Sequence, residues 1–305
     1  LYQYKNFMKV GWLVNDMLTG IPGTKTFWHD LLENVPGLID KTGGYTSFPD
    51  LANKIEGYAR NEGNPDYIIR NGSFFGKINL NVPTITLLQD LGHGRIDVCN
   101  NSTIVVFNSP YTEINYRGVI TRATTIIPLG VDFDYFKPTK TYKEELGILD
   151  NSILYIGSSE NHPKGFNTVL DLINTTNHNF CLVMKDDFKI DHPRVRVFNK
   201  INHDTLIKVI NSCSLLICTS VVETQHLSGL EAAACDIPLV VTNVGVYYDK
   251  QDGEWGLKVL DGDFKTKIDY VLNNKKIFSP RKFFLENGYD KKDCMKKWNE
   301  LINIL

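Results

Sequence analysis

An alternation that repeats through the second half of the sequence constrains the fold more than any other feature. Ile153–Ile156 is a short apolar run closed by Gly157, the pattern of a strand buried on both faces. Phe166, Val169, Leu170 and Ile173 then recur at i, i+3, i+4 and i+7, one face of an amphipathic helix. Phe180–Met184 and Val195–Phe198 read as the next strands. Leu206, Val209, Ile210 and Cys213 repeat the helical spacing, with Asn202 as the N-cap. Leu215–Cys218 and Leu239–Thr242 are strands flanking a helix near 227–235. Successive strand–helix–strand units of this size imply a parallel sheet with helices on both faces.

The first half follows the same rhythm less tidily. Strands are expected at Lys9–Val14, Tyr67–Ile69, Thr84–Leu88, Ile104–Phe107 and Thr125–Ile127, and helices near Thr24–Glu33, Leu51–Asn61 and Pro110–Arg117. Between the halves, Ile127–Pro138 is rich in turn formers and has neither periodicity, which marks a linker. The expected architecture is therefore α/β: two doubly wound, Rossmann-like domains facing one another across a cleft. They are placed at 1–132 and 133–285, with 286–305 a terminal helix crossing back to the first domain. A length of 305 residues suits two such domains.

Composition removes several classes of function. With 33 Lys and Arg against 35 Asp and Glu the formal charge is −2, so no broad positive field exists to hold nucleic acid. The six cysteines show no C-x-x-C pair and no zinc-ligand spacing. Several lie in apolar runs, as Cys218 does, where free cysteine behaves as a small buried hydrophobe. That usage points to a reducing compartment. No apolar stretch approaches a membrane span and no signal peptide is evident, so the cytoplasm is the expected location.

Open α/β sheets bind ligands beyond the carboxyl ends of their strands, and two such loops carry chemistry. In the first, Gly157–Gly165, a helix starting at Gly165 presents unpaired N–H groups beside the charge of Lys164, a setting for a phosphate or diphosphate. A solvated lysine on an ordinary loop is the bland alternative. Neither a P-loop nor a G-x-G-x-x-G after the first strand is present, which removes the main support for a dinucleotide dehydrogenase. The second loop, Ser220–Glu231, holds Glu223 beyond a strand end and Glu231 near the start of the next helix. Two carboxylates there suit sugar hydroxyls or a glycosidase-like acid and nucleophile pair, whereas Glu231 in a first helical turn would merely favour the helix dipole.

Taken together, these segments resemble the retaining glycosyltransferases of family 4, which have the two-domain GT-B fold. The resemblance runs in order through Ile126–Asp132 with Phe136 and Pro138, Leu154–Gly157, Lys164 and Gly165, Ser220, Glu223 and Glu231–Cys235, then Ile237–Thr242 and Val244–Gly245. The glutamates match the family's E-x7-E motif. The resemblance implies transfer of a sugar from a nucleotide diphosphate donor, with retention, to an acceptor hydroxyl. The acceptor class stays open among glycans, lipid-linked saccharides and proteins. It implies the donor mainly on the second domain and the acceptor mainly on the first. Lys164 then contacts the donor diphosphate and Glu231 accepts from the ribose hydroxyls. Glu223 lies near the transferred sugar, and Gln225, His226 and Leu227 offer backbone N–H groups. Gly157, Ser158 and Gly165 complete the donor loop. Gly23, Asp90 and His93 are the expected acceptor-side or auxiliary residues. No cofactor and no metal is expected.

Departures from the family pattern set limits on this expectation. Ser158 stands where the family usually has an arginine, with Arg95 or Lys185 as candidate replacements for the lost cation. Residues 223–227 replace a small, glycine-containing stretch, so His226 is expected to narrow the sugar pocket. Gln89 replaces a frequent histidine, and Gly20–Gly23 resembles the glycine-bearing turn after the first strand. Asp132 with Asp134, and Asp261 with Asp263, have the D-x-D spacing of a different, metal-using transferase fold. Both lie in turn-rich segments that favour aspartate anyway. Residues 275–298 carry eight basic and three acidic side chains among aromatics. That composition suits either peripheral membrane contact or terminal helices with a solvated basic face. Two rivals to transfer remain at this point: a GT-B sugar-nucleotide epimerase and a degenerate nucleotide-sugar-binding module.

Overall fold

In the computed structural model, residues 8–14, 22–41, 48–72, 78–160 and 162–305 are described. The chain divides into two compact units, Leu1–Leu129 with Lys292–Leu305, and Gly130–Lys291. The first unit contains strands β1 (Gly11–Val14), β2 (Leu38–Asp40), β3 (Tyr67–Asn71), β4 (Thr84–Leu88), β5 (Ile104–Phe107) and β6 (Ala123–Ile126). Helices α1 (Pro22–Asn34), α2 (Phe48–Glu62), α3 (Ile96–Asn100) and α4 (Pro110–Tyr116) connect them. The strands form one parallel sheet in the order β2-β1-β3-β4-β5-β6.

The second unit opens with the short helix α5 (Lys143–Leu146). Its strands are β7 (Ile153–Gly157), β8 (Phe180–Met184), β9 (Val195–Asn199), β10 (Leu215–Cys218), β11 (Leu239–Thr242) and β12 (Gly256–Val259). Helices α6 (Phe166–Thr175), α7 (His203–Ile210), α8 (Leu227–Ala234), α9 (Phe264–Asn273) and α10 (Pro280–Glu286) complete it. This sheet is also parallel, in the order β12-β11-β10-β7-β8-β9. Alternation decides its two faces. Ile153 and Tyr155 pack with α6 and α9, whereas Leu154 and Leu216 pack with α7 and α8.

The last helix, α11 (Lys291–Ile304), packs within the first unit. Trp298 lies 6.1 Å from Phe27, Asn299 Nδ2 donates to Asn34 O at 3.1 Å, and Lys9 Nζ donates to Ile302 O at 3.1 Å. Residues 130–132 belong to the second unit, where Val131 exchanges backbone bonds with Tyr289 and Lys291. The aromatics of the basic 275–298 segment point inward: Phe278, Phe284 and Trp298 are buried. No described helix is long and apolar enough to cross a membrane.

Five elements, β2, α3, α5, α9 and β12, have no counterpart in the sequence reading, and β2, α3 and β12 lack a readable period. In β2 only Leu38 is buried. The helix α3 has five residues, and β12 is an edge strand with partly exposed inner positions. The first helix begins at Pro22, whose fixed φ suits a first turn, so Gly23 lies in α1 rather than in a loop. Gly20 and Ile21 lie outside the described residues.

Candidate functional site

Strand order places the site. The chain leaves β7 for β8 on one side of the sheet and β10 for β11 on the other, yet β7 and β10 are neighbours. The loops after these two strands therefore part at a switch point, where an open parallel sheet leaves room for a ligand. Lys164 lies in the first loop and Glu223 in the second.

The two loops are stitched together by backbone groups. Val221 N donates to Pro163 O at 2.9 Å, and the Thr219 and Tyr155 hydroxyls donate to Lys164 O at 3.1 and 3.4 Å. Gly165 permits this closeness, because its φ is +65° and a Cβ there would lie 2.0 Å from Thr219 O. Lys164 Nζ reaches Glu223 Oε1 at 2.5 Å, and Ser220 Oγ donates to the same oxygen at 2.9 Å. Thr242 Oγ1 in turn donates to Ser220 O at 2.6 Å, fixing that residue from β11.

Burial works against charge on Glu223. The interactions with His226, with the Lys164 ammonium and with Ser220 outweigh it and hold the carboxyl below its ordinary value. His226 caps α8 in the left-handed conformation, with φ at +71°. It is buried, with Nδ1 2.9 Å from the Tyr247 hydroxyl, and Tyr247 stacks on Trp255 at 5.3 Å. The partner that holds the ring lies 21 positions away in the chain. Burial pushes the His226 imidazole down to about 4, against the pull of Glu223, and Lys164 adds to the depression.

Glu231 lies on the half-buried face of α8. Because the helix starts at Leu227, Glu231 sits beyond the first turn, and the helix-dipole reading of it fails. Burial pushes its carboxyl up to about 7, opposed by the charge of Lys185. No hydrogen bond holds it among the described residues. Gln225 is buried, and its carbonyl accepts from Val246 N at 3.3 Å. The first N–H groups of α8, beginning at Leu227, have no partner within the helix, as at any helix start.

The remaining donor-loop residues divide between support and exposure. Gly157 ends β7, and its carbonyl accepts from Lys185 N at 2.9 Å, which places Lys185 beside Ser158. Lys185 is exposed. Ser158 Oγ accepts from Glu160 N at 3.3 Å, and Ser159 is held through its amide and hydroxyl by Asp186. Arg95 is already engaged: its Nε donates to both oxygens of Asp90, at 3.2 and 3.1 Å. Asp90 and the turn His93–Arg95 follow β4 in the first unit, with Gly23 in α1 of the same unit. The D-x-D aspartates serve turns. Asp132 Oδ1 accepts from Asp134 N and Tyr135 N at 3.0 and 2.9 Å, and Asp263 Oδ1 accepts from Thr266 N at 3.0 Å to cap α9.

Sequence reasoning did not find Thr219 or Tyr247 as parts of this site, because their partners, Lys164 and His226, lie 55 and 21 positions away in the chain. Cys218 Sγ, a Glu223 carboxylate oxygen and a His226 ring nitrogen all lie within 4.8 Å of one another. All six cysteines are buried and free. A separate polar pocket opens at the opposite edge of the second sheet, around Asp150, His178 and Asp269, and contains none of the expected site residues.

Comparison with known proteins bears on the fold that carries these loops. Residues 150–274 match the family model of glycosyl transferases group 1. The solved structure of sucrose-phosphate synthase from Thermosynechococcus elongatus is similar, with a TM-score of 0.81 at 15% identity over 97% of this chain and 98% of that one. HepE from Anabaena, solved in complex with UDP, gives a TM-score of 0.76 at 16% identity over 98% and 100%. The apo form of the lipopolysaccharide outer core galactosyltransferase WaaB gives 0.74 at 12% over 98% and 100%. No curated protein matches by sequence. The two parallel sheets and these neighbours make the architecture GT-B, two Rossmann-like α/β domains. The family match and the shared fold support a GT-B glycosyltransferase.

Proposed function

We propose that this protein is a retaining, metal-independent glycosyltransferase that moves a sugar, of hexosyl type, from a nucleotide diphosphate donor to an acceptor hydroxyl. The observation that carries the reading is the Lys164–Glu223 pair, a cation and a carboxylate brought together from two loops at a sheet switch point. Neighbours of the same fold were solved with UDP and with UDP-glucose, which supports a nucleotide-sugar donor.

Each residue has a defined task in this scheme. The Lys164 ammonium has three donors and gives one to Glu223. The others remain for the diphosphate, where they stabilise charge growing on the leaving oxygen. Glu223, kept ionised, accepts from a sugar hydroxyl and opposes the positive charge that develops at the anomeric carbon. Glu231, whose carboxylate has no hydrogen-bond partner among the described residues, accepts from the ribose hydroxyls. The Gln225–Leu227 turn supplies backbone N–H groups to the sugar and phosphate. Lys185 takes the place of the cation that Ser158 cannot provide. The departing phosphate oxygen receives the acceptor proton, so no separate general base is required. Acceptor recognition is assigned to the first unit and donor recognition to the second.

A thermal-shift panel of UDP-, GDP-, ADP- and TDP-sugars names the donor, because a ligand at 100 times its Kd adds about 2.7 kcal/mol to apparent stability. Product analysis with that donor then decides the reaction. Free nucleotide diphosphate with a glycosylated product of unchanged anomeric configuration is expected. An isomerised sugar nucleotide points instead to an epimerase, and binding with neither transfer nor slow donor hydrolysis to a binding module.

A further inference from the structure

We infer that Cys218, Glu223 and His226 form a zinc site whose occupation switches the protein off. The three side chains come from a strand end, a loop and a helix cap, and the fold alone brings their ligand atoms within 4.8 Å of one another. A thiolate, an imidazole and a carboxylate together suit a borderline-soft cation. Magnesium and calcium prefer all-oxygen sets, and this cluster offers one carboxylate. Three protein ligands with a fourth position left for water is an arrangement that zinc adopts in open sites.

Two of the three atoms that zinc needs are ones the site leaves over. Lys164 and Ser220 both bond Oε1 of Glu223, and no hydrogen bond reaches Oε2 among the described residues. Nδ1 of His226 is committed to the Tyr247 hydroxyl, so Nε2 is the nitrogen that remains. That hydroxyl can accept from Nδ1–H, the outer bond that orients a metal-binding imidazole. Gly229 is required for the contact, since a Cβ there would lie 2.0 Å from the Tyr247 hydroxyl and 2.4 Å from His226 Nδ1. Cys218 is buried, takes part in no disulfide, and its sulfur is hydrogen-bonded by Ser220, which zinc would have to displace or share.

Binding is balanced without a redox partner. The Cys218 S–H bond breaks as the zinc–sulfur bond forms, and the proton passes to solvent. Zinc on Oε2 would then stand close to the Lys164 ammonium on Oε1. Like charges at that range repel, so the lysine is driven from the carboxylate and the pair is dismantled. The loss of activity rests on the reading of Lys164 and Glu223 given above, whereas zinc binding itself does not.

The test uses the full-length chain stripped of metal and titrated with zinc chloride against a chromophoric chelator. Cobalt chloride serves as a spectroscopic stand-in. One zinc per chain is expected, with a thiolate-to-cobalt charge-transfer band in the near ultraviolet. Cys218→Ala should abolish the band and weaken zinc binding on the order of 100-fold, because a ligand is lost outright. Cys218 has no task in transfer, so this variant should keep its basal turnover while the zinc concentration for half-inhibition rises by a similar factor. Cys218→Ser, closer in size, serves if the alanine variant melts early. Absence of stoichiometric zinc binding, or an unchanged cobalt spectrum in both variants, overturns the site. Zinc binding that is lost in Cys218→Ala supports the site even if no donor is turned over. In that case it is the transfer reading that fails.

Discussion

Each of the two sheets ends, at its carboxyl edge, in a carboxylate paired with a cation, and the two pairs are built differently. In the first unit Asp90 and Arg95 are five positions apart on one loop, with side chains 40% and 19% exposed. The Tyr116 hydroxyl fastens that loop by donating to Asp90 O at 3.1 Å and to Gly92 O at 3.0 Å. In the second unit Glu223 and Lys164 are 59 positions apart, and their side chains are 11% and 26% exposed. The first pair is a local staple that forms wherever the loop forms. The second exists only when β7 and β10 lie side by side, and it is less screened by solvent. A surface pair contributes about 0–1 kcal/mol, so the first pair can be removed cheaply. The second holds two charges in place before any ligand arrives, which is how a site stabilises charge that develops during reaction.

The largest expected effect breaks this comparison at its centre. Glu223→Gln and Lys164→Ala should each lower kcat/KM for transfer by about 10²–10³, whereas Arg95→Ala should change it less than about threefold. Steady-state rates on variants with wild-type circular dichroism check both halves of the statement.

A backbone contrast comes next. Gly165→Ala forces a Cβ against Thr219 O at a φ of +65°, while Gly118, at +83°, has nothing within 4 Å of its Cβ position. Gly165→Ala should therefore cost about 3 kcal/mol in urea unfolding, combining clash with left-handed strain. Gly118→Ala should cost only the strain, about 1 kcal/mol.

Glu231→Gln sharpens the electrostatic side. The raised carboxyl, near 7, must lose its proton to accept from two ribose hydroxyls, so donor affinity should strengthen as pH rises through about 7. In the variant that rise should vanish, with affinity about tenfold weaker at high pH. The same group links to stability. A raised carboxyl favours folding below its unfolded value of 4.5 and loses that advantage as pH rises towards 7. Buried neutral His226 acts in the opposite sense, losing its advantage as pH falls from 6.5 towards about 4. The two slopes oppose each other in the wild type. The stability of Glu231→Gln relative to wild type should rise with pH across that window, by at most about 1.4 kcal/mol per pH unit.

The smallest effect concerns the missing arginine. Lys185→Ala should weaken donor binding by about threefold to tenfold, more at low salt than at high, and leave kcat nearly unchanged. Calorimetry at two salt concentrations measures it.

The sequence and the structure agree where local pattern is enough. Phe180–Met184 is buried at every position and reads as a strand directly. Leu38–Asp40 buries one residue of three, so no period could reveal it. Lys164 and Glu223 were legible as loop residues after strands. Their 2.5 Å contact was not, because it follows from which strands are neighbours, a property of the crossovers and not of any window of sequence. His226 shows the same limit. Its place in the motif was readable, but the direction of its ring is decided by Tyr247, Gly229 and the space between them. Arg95 has the charge of a substitute cation, but its bond to Asp90, on its own loop, is not legible from residue type.

A double-mutant cycle on donor turnover puts the central claim, that Lys164 and Glu223 act as one unit, to its most direct test. Rates are measured for wild type, Lys164→Ala, Glu223→Gln and the double variant. Residues that work together are grossly non-additive. The account predicts that the double variant is no more than about tenfold slower than the slower single variant. Losses that multiply in full, or a Glu223→Gln variant with wild-type turnover, would contradict it.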